Sequence, residues 1–193
     1  EGESNLTFKI IVLGDPGVGK SSLLGRATKN IFNAEYQTTV GFEFLSFTEK
    51  IGEKNVKLQI WDTCGQETYK SLISNFYRNA SLAMLIYSID SRESFNNIIK
   101  WLKEIKLQRN PDIKVVLIGN KADLENKRQV TIEEGNKFKE ENDILFFQEA
   151  SAKSGINAKE IFHEAAKILY DEYFNLFAIY TGSNTLNMEL TAD

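Results

Sequence analysis

The 193-residue sequence holds a single cysteine, Cys64, so no disulfide can close within it. A small fold stapled by disulfides is excluded, and a reducing compartment is the expected setting. No apolar run approaches the roughly 20 residues that a bilayer-spanning helix needs. The opening residues, Glu1-Gly2-Glu3-Ser4, do not read as a signal peptide. Repeats, low-complexity segments and linkers are absent. There is one histidine, His163, and like Trp101 it reads as a surface or core residue without chemistry. Lysine and arginine are missing from residues 171–193, which hold Asp171, Glu172, Glu189 and Asp193, while the preceding 170 residues balance 23 basic against 23 acidic side chains. A net charge of −4 gives no strong pull toward nucleic acid. What remains is enough chain for one domain with a full core, at an ordinary apolar share of 42%.

The stretch that organises the chain is Gly14-Asp15-Pro16-Gly17-Val18-Gly19-Lys20-Ser21-Ser22, which fits Gly-x4-Gly-Lys-Ser/Thr. An apolar, β-branched run, residues 8–13, precedes it, and a helical pattern follows. Strand, glycine loop and helix together form the context of a phosphate-binding loop. Its glycines let several backbone N–H groups converge, and the helix N-terminus adds partial positive charge. Asp15, Gly17, Val18, Gly19, Lys20, Ser21 and Ser22 are therefore candidates for nucleotide contact. Lys20 suits the outer phosphates, and the Ser21 hydroxyl suits Mg²⁺.

Further along, residues 31–41 are polar and read as irregular. Residues 42–47 and 56–61 alternate apolar with polar around a turn at 52–55, which predicts a hairpin. A short helix to about residue 78, strands at 82–87, 115–118 and 144–147, and helices over 92–109 and 131–141 follow. Thr131 is the expected N-cap of the last of these, with Glu134 three residues later. A final helix is expected from Asn157, ended by Gly182. Its stripe Tyr170, Tyr173, Phe174, Phe177 and Tyr180 is expected to pack back on the domain. The pattern predicts an α/β fold with a six-stranded, mostly parallel sheet, one antiparallel strand and helices on both faces. Ligands on such a sheet bind at the carboxyl ends of its strands.

The remaining polar clusters all follow strands, which puts them on the phosphate loop's edge. Asp62 ends a strand where a carboxylate can hold Mg²⁺ through water. Gly65 allows close backbone approach to a terminal phosphate, and Gln66 can orient a water. In Asn120-Lys121-Ala122-Asp123, the Asp123 carboxylate matches the paired N1–H and N2–H₂ donors of guanine, which adenine lacks. Lys121 can cover the base, and Asn120 can tie loops together. In Ser151-Ala152-Lys153, the Ala152 N–H can meet guanine O6.

This spaced set, with Thr39, resembles the Ras-like small GTPases over residues 7–172. Residues 39–44, 57–63 and 76–80 make the chain most similar to the Rab family. The resemblance implies a GTP/GDP switch that uses Mg²⁺, held by Ser21, Thr39 and Asp62, with Lys20, Gly65 and Gln66 catalytic. It implies that Phe32 lies against the base. It also implies switches at 35–44 and 63–78, an exposed aromatic patch of Phe44, Trp61 and Phe76, and exchange, activating and effector proteins as partners. A monomer in membrane traffic is implied, at the cytosolic face of an endomembrane, slow to hydrolyse GTP without an activator. Residues 1–6 read as an N-terminal extension and 173–193 as a C-terminal one.

Two residues depart from the pattern: Pro16 stands where a small residue is usual, and Cys64 where Ala is usual. They motivate an alternative, a nucleotide-gated module that hardly hydrolyses. Another Ras-like subfamily is a further alternative, and a P-loop kinase or ATPase is disfavoured by Asp123. The C-terminal residues carry no cysteine for a lipid anchor, so membrane attachment would need a tail absent from this chain.

Overall fold

The computed structural model describes residues 6–29, 35–39, 42–62 and 70–189. The elements are β1 (Leu6–Leu13), α1 (Lys20–Thr28), β2 (Glu35–Thr39), β3 (Phe42–Ile51), β4 (Lys54–Asp62), α2 (Lys70–Tyr77), β5 (Leu82–Ser88), α3 (Arg92–Asn96), α4 (Ile98–Leu107), β6 (Lys114–Asn120), α5 (Ile132–Glu141), β7 (Phe146–Glu149) and α6 (Glu160–Glu189). The strands form one sheet in the order β2-β3-β4-β1-β5-β6-β7. Strand β1 pairs in parallel with both β4 and β5, whereas β3 runs antiparallel to β4 and β2. The expected six-stranded sheet with one reversed strand is therefore present, with a seventh strand, β2, added at its edge. Residues 35–39 lack an apolar alternation, but β3 offers an unpaired row of N–H and C=O groups. Backbone pairing along such an edge does not depend on the hydrophobicity of the incoming side chains.

Alternation along β1 sends Ile10 and Val12 to one face and Ile11 and Leu13 to the other. The first pair joins Leu23, Leu58, Ile60, Met84, Phe162 and Ala166 beneath α1 and α6. The second joins Phe76, Leu85, Tyr87, Phe95, Ile98 and Leu102 beneath the remaining helices. Every residue of β5 is buried, as expected for a strand covered on both faces. Because the chain winds outward from β1 in both directions, β1 marks the reversal of strand order. The carboxyl ends of β1, β4, β5, β6 and β7 share one edge, and a crevice beside β1 is where such sheets take ligands.

Several boundaries differ from the sequence pattern, among them the hairpin turn, which is shorter than 52–55 because Lys54 and Asn55 already belong to β4. The single helix expected over 92–109 is two, meeting at Asn97, whose backbone stays right-handed at φ −78°. Strand β7 starts at Phe146 because the Ile144 N–H is used to close α5 on the Lys139 carbonyl, 3.0 Å away. Helix α6 begins at Glu160 and runs through Gly182 to Glu189. A glycine inside a helix costs only about 0.5–1 kcal/mol, too little to end one that is otherwise consistent. The aromatic stripe of α6 packs on the domain only at its start. Tyr170 lies against the core and Phe174 is half-buried, but Tyr173, Phe177 and Tyr180 are 43%, 56% and 71% exposed. The expectation that the whole stripe folds back is corrected, because the helix outruns the sheet that its face covers. Among the described residues no helix is long and apolar enough to cross a membrane. Thr131 and Glu134 form the expected capping box.

Candidate functional site

The phosphate loop leaves β1 at Gly14. A Cβ there would sit 2.2 Å from the Ile86 carbonyl oxygen on the neighbouring strand, so no other residue fits this backbone. At the other end Gly19 is the N-cap of α1 at φ 90°, a left-handed conformation that disfavours other residues. A Cβ on Gly19 would also stand 2.6 Å from Asn120 Nδ2. Gly19 brings no capping side chain, and the first turn of α1 holds no acidic residue. The partial positive charge of the helix end is therefore left to the loop. Lys20 folds back across the loop and donates from Nζ to the Gly14 and Asp15 carbonyls at 2.8 and 3.0 Å.

Ser21, next on α1, donates its hydroxyl to Oδ2 of Asp62 at 2.5 Å. Asp62 ends β4 and is fully buried. A hydroxyl and a carboxylate this close, at a helix N-terminus, are two hard oxygen donors suited to Mg²⁺. The donor set thus fits the metal that the sequence implies.

On the other side of the loop lies a cavity of about 380 Å³, lined by Gly19, Ser22, Asn120, Lys121, Asp123, Leu124, Ala152 and Lys153. It exists because β6 and β7 are neighbours, with Gly119 paired to Glu149, so their following loops meet. Ala122 N–H bonds the Ala150 carbonyl between those loops at 3.0 Å. Ser151, fully buried, donates its hydroxyl to Asp123 Oδ1 at 2.6 Å and so orients that carboxylate. Asn120, 1% exposed, donates from Nδ2 to the Val18 carbonyl at 2.8 Å. Its Oδ1 is buried and accepts no hydrogen bond among the described residues. Lys121 reaches across to the Gly17 carbonyl at 2.7 Å. One carboxylate residue, Asp123, and one lysine, Lys121, thus line a cleft of small-ligand size, with Asn120 in its wall.

A third set of contacts was not legible in the sequence. The Asp15 carboxylate accepts Asn97 Nδ2 on Oδ2 at 2.6 Å and Trp101 Nε1 on Oδ1 at 3.1 Å. Trp101 reads from the sequence as a residue without chemistry. The one available signal is its spacing of four from Asn97, which puts both on one helix face.

Residues Phe32, Cys64, Gly65 and Gln66 lie outside the described residues. Thr39 closes β2 opposite Phe42, and its side chain is likewise outside them. The aromatic patch requires a correction. Phe44 and Trp61 face each other across β3 and β4, edge to face at 5.3 Å, and both are half-buried. Phe76 is 1% exposed and packs with Tyr77 in the core beneath the sheet. The turn of α2 that carries it points inward. Lys9 lies with Nζ 4.2 Å from the centre of the Trp61 ring and donates to the Asn75 and Arg78 carbonyls at the end of α2. Burial lowers its pKa to about 8.

The Ras family model matches residues 9–171 of this chain. Among curated proteins, the Ras-related protein Rab5 of Nicotiana tabacum is 47% identical over 166 residues, which is 86% of this chain and 82% of that protein. RHN1 of Nicotiana plumbaginifolia is 46% identical over the same shares. RABA1b of Arabidopsis thaliana is 44% identical over 170 residues, 88% of this chain and 78% of its own length.

Proposed function

The chain belongs to the Ras family of small GTPases, and from that premise we propose that it is a Rab-type switch that binds GTP and GDP with Mg²⁺ and hydrolyses GTP. The observation that carries this reading is a coincidence on one sheet edge. Asp123, oriented by Ser151, faces the same cleft beside which Ser21 meets Asp62. The first carboxylate suits the donor pair of guanine, and the second suits a divalent cation. The family resemblance assigns Phe32 to the base, and Asn120, Lys121, Ala152 and Lys153 complete its surroundings.

On binding, Lys20 exchanges its carbonyl contacts for phosphate oxygens, where backbone N–H groups from Gly17 to Ser22 also converge. Ser21, Asp62 and Thr39 would hold Mg²⁺, and the bound ion would supply charge screening at the outer phosphates. Gln66 orients the attacking water, and the Gly65 N–H bonds the terminal phosphate. In-line attack then transfers the γ-phosphoryl group to water. Loss of that phosphate releases the contacts of Thr39 and Gly65, so residues 35–44 and 63–78 report the nucleotide to exchange factors, activators and effectors. Phe44 and Trp61 are the aromatic part of that surface. We place the protein in vesicle traffic at the cytosolic face of an endomembrane, reached through a lipidated tail.

Hydrolysis by the protein alone is slow. An arginine supplied by an activating partner is worth about 10³–10⁵ in related GTPases. Competition between guanine and adenine nucleotides for the Mg²⁺-loaded protein, followed by single-turnover hydrolysis, tests the reading. Adenine binding as tight as guanine would sink it. Gln66→Leu should lower hydrolysis at least about tenfold with nucleotide affinity unchanged.

A second reading, a switch that hardly hydrolyses, is favoured by Pro16. Its ring is exposed on the loop, where an activator's arginine would approach, and it has no N–H to offer phosphate. If Pro16→Ser leaves both intrinsic and activated hydrolysis unchanged, that reading is removed.

A further inference from the structure

We propose that Asn97 and Trp101 are positioning residues for the phosphate loop, acting through the carboxylate of Asp15 to slow nucleotide release. The inference rests on the nucleotide site proposed above. Each oxygen of Asp15 has its own donor: Asn97 Nδ2 on Oδ2 at 2.6 Å and Trp101 Nε1 on Oδ1 at 3.1 Å. The two donors stand one helical turn apart at the start of α4, so a single rigid face presents both.

Asn97 joins α3 to α4 with a right-handed backbone, and its side chain makes no bond to the first turn of α4. Its amide goes instead to a residue 82 positions upstream, and the target is the phosphate loop.

Asp15 is well chosen as a handle. Its carbonyl is one of the two that Lys20 Nζ grips, so its main chain and side chain are tied to different elements. Pro16 follows, and a proline confines the residue before it to extended conformations. The first half of the loop is thus held by a side-chain clamp and a ring.

The test is release of a fluorescent methylanthraniloyl-GDP from the Mg²⁺-loaded protein. Trp101→Phe keeps the ring and removes the N–H, and Asn97→Ala removes the amide. The two together should speed release about tenfold, with the thermal midpoint moved by only about 3 °C. In an Asp15→Ala background the same pair should add nothing, because the shared acceptor is gone. In a Trp61→Phe protein, where Trp101 is the sole tryptophan, Asp15→Ala should shift the emission maximum. Release at the wild-type rate in the double variant, or equal effects with and without Asp15, overturns the clamp. Wild-type protein that fails to retain the guanine nucleotide would overturn the nucleotide site itself, a separate outcome.

Discussion

Two sets of side chains converge on residues 15–19, and they grip different kinds of atom. On the base side, Asn120 and Lys121 donate to the main-chain carbonyls of Val18 and Gly17. On the far side, Asn97 and Trp101 donate to the side-chain carboxylate of Asp15. A grip on the main chain makes no demand on the loop's side chains except that Gly19 have none. A grip on a side chain can be undone by one substitution that leaves the backbone sterically unaltered. Within the first set the Asn120 bond to Val18 is buried, whereas the Lys121 bond to Gly17 is open to water, as is half-buried Asp15. The Asn120 hold is therefore a condition of the site's existence, and the Asp15 hold tunes how firmly it is closed.

The largest effect should come from breaking the main-chain grip. Asn120→Ala leaves the buried Val18 carbonyl without its strong donor. We expect a loss of about 1–3 kcal/mol in denaturant unfolding and nucleotide affinity lowered by about 10². Gly19→Ala should be similarly costly, since its Cβ would stand 2.6 Å from the Asn120 amide at φ 90°. Combined with Asn120→Ala it should cost less than the sum, because the collision partner is then gone. Full additivity in a double-mutant cycle would contradict that reading of the contact.

A smaller effect is expected from the side-chain grip. Asp15→Ala should raise the nucleotide release rate about tenfold and lower stability by no more than about 1 kcal/mol, because the loop keeps its base-side hold. If Asp15→Ala proved as damaging as Asn120→Ala, the distinction between the two grips would fail.

The smallest effect, a control away from the loop, concerns Glu134. Its carboxyl is held down at about 2, first by Arg92, which donates at 2.6 and 2.9 Å, and then by the Thr131 N–H. Because the folded-state value lies below the ordinary 4.5, the stabilisation is present above pH 4.5 and is lost as pH falls toward 2. Glu134→Gln should cost only about 0.5 kcal/mol at neutral pH, since both partners are open to water, and leave nucleotide release unchanged. The difference between the two thermal midpoints should close as the pH approaches 2. A gap that persists there would mean that the charge is not what matters.

The parts of the fold that were legible in advance are those that local pattern dictates. The apolar runs of β1, β5 and β6, the alternation of β3 and β4, and the Thr131 cap depend on neighbours within a few residues. The candidate residues of the phosphate loop and of the loops after β6 and β7 were legible for a related reason. Gly14 and Gly19 answer steric needs that only glycine meets, and Asp123 stands directly after a buried strand. Phe76 was read as exposed and is buried, since a single turn of α2 does not reveal which side meets the sheet. Strand β2 was missed because its pairing belongs to the edge of β3 and not to its own side chains.

What the sequence by itself determined is a strand, a glycine loop and a helix, with guanine- and cation-suited residues at successive strand ends. Their chemistry and spacing are local, so they can be read without coordinates. Only the tertiary structure decided that Asn97 and Trp101 belong to that loop, that Phe76 does not join Phe44 and Trp61, and that the aromatic face of α6 leaves the domain after Phe174. Each of these depends on which distant element lies opposite a side chain. No residue carries that information alone, because packing settles it only when the sheet and its helices come together.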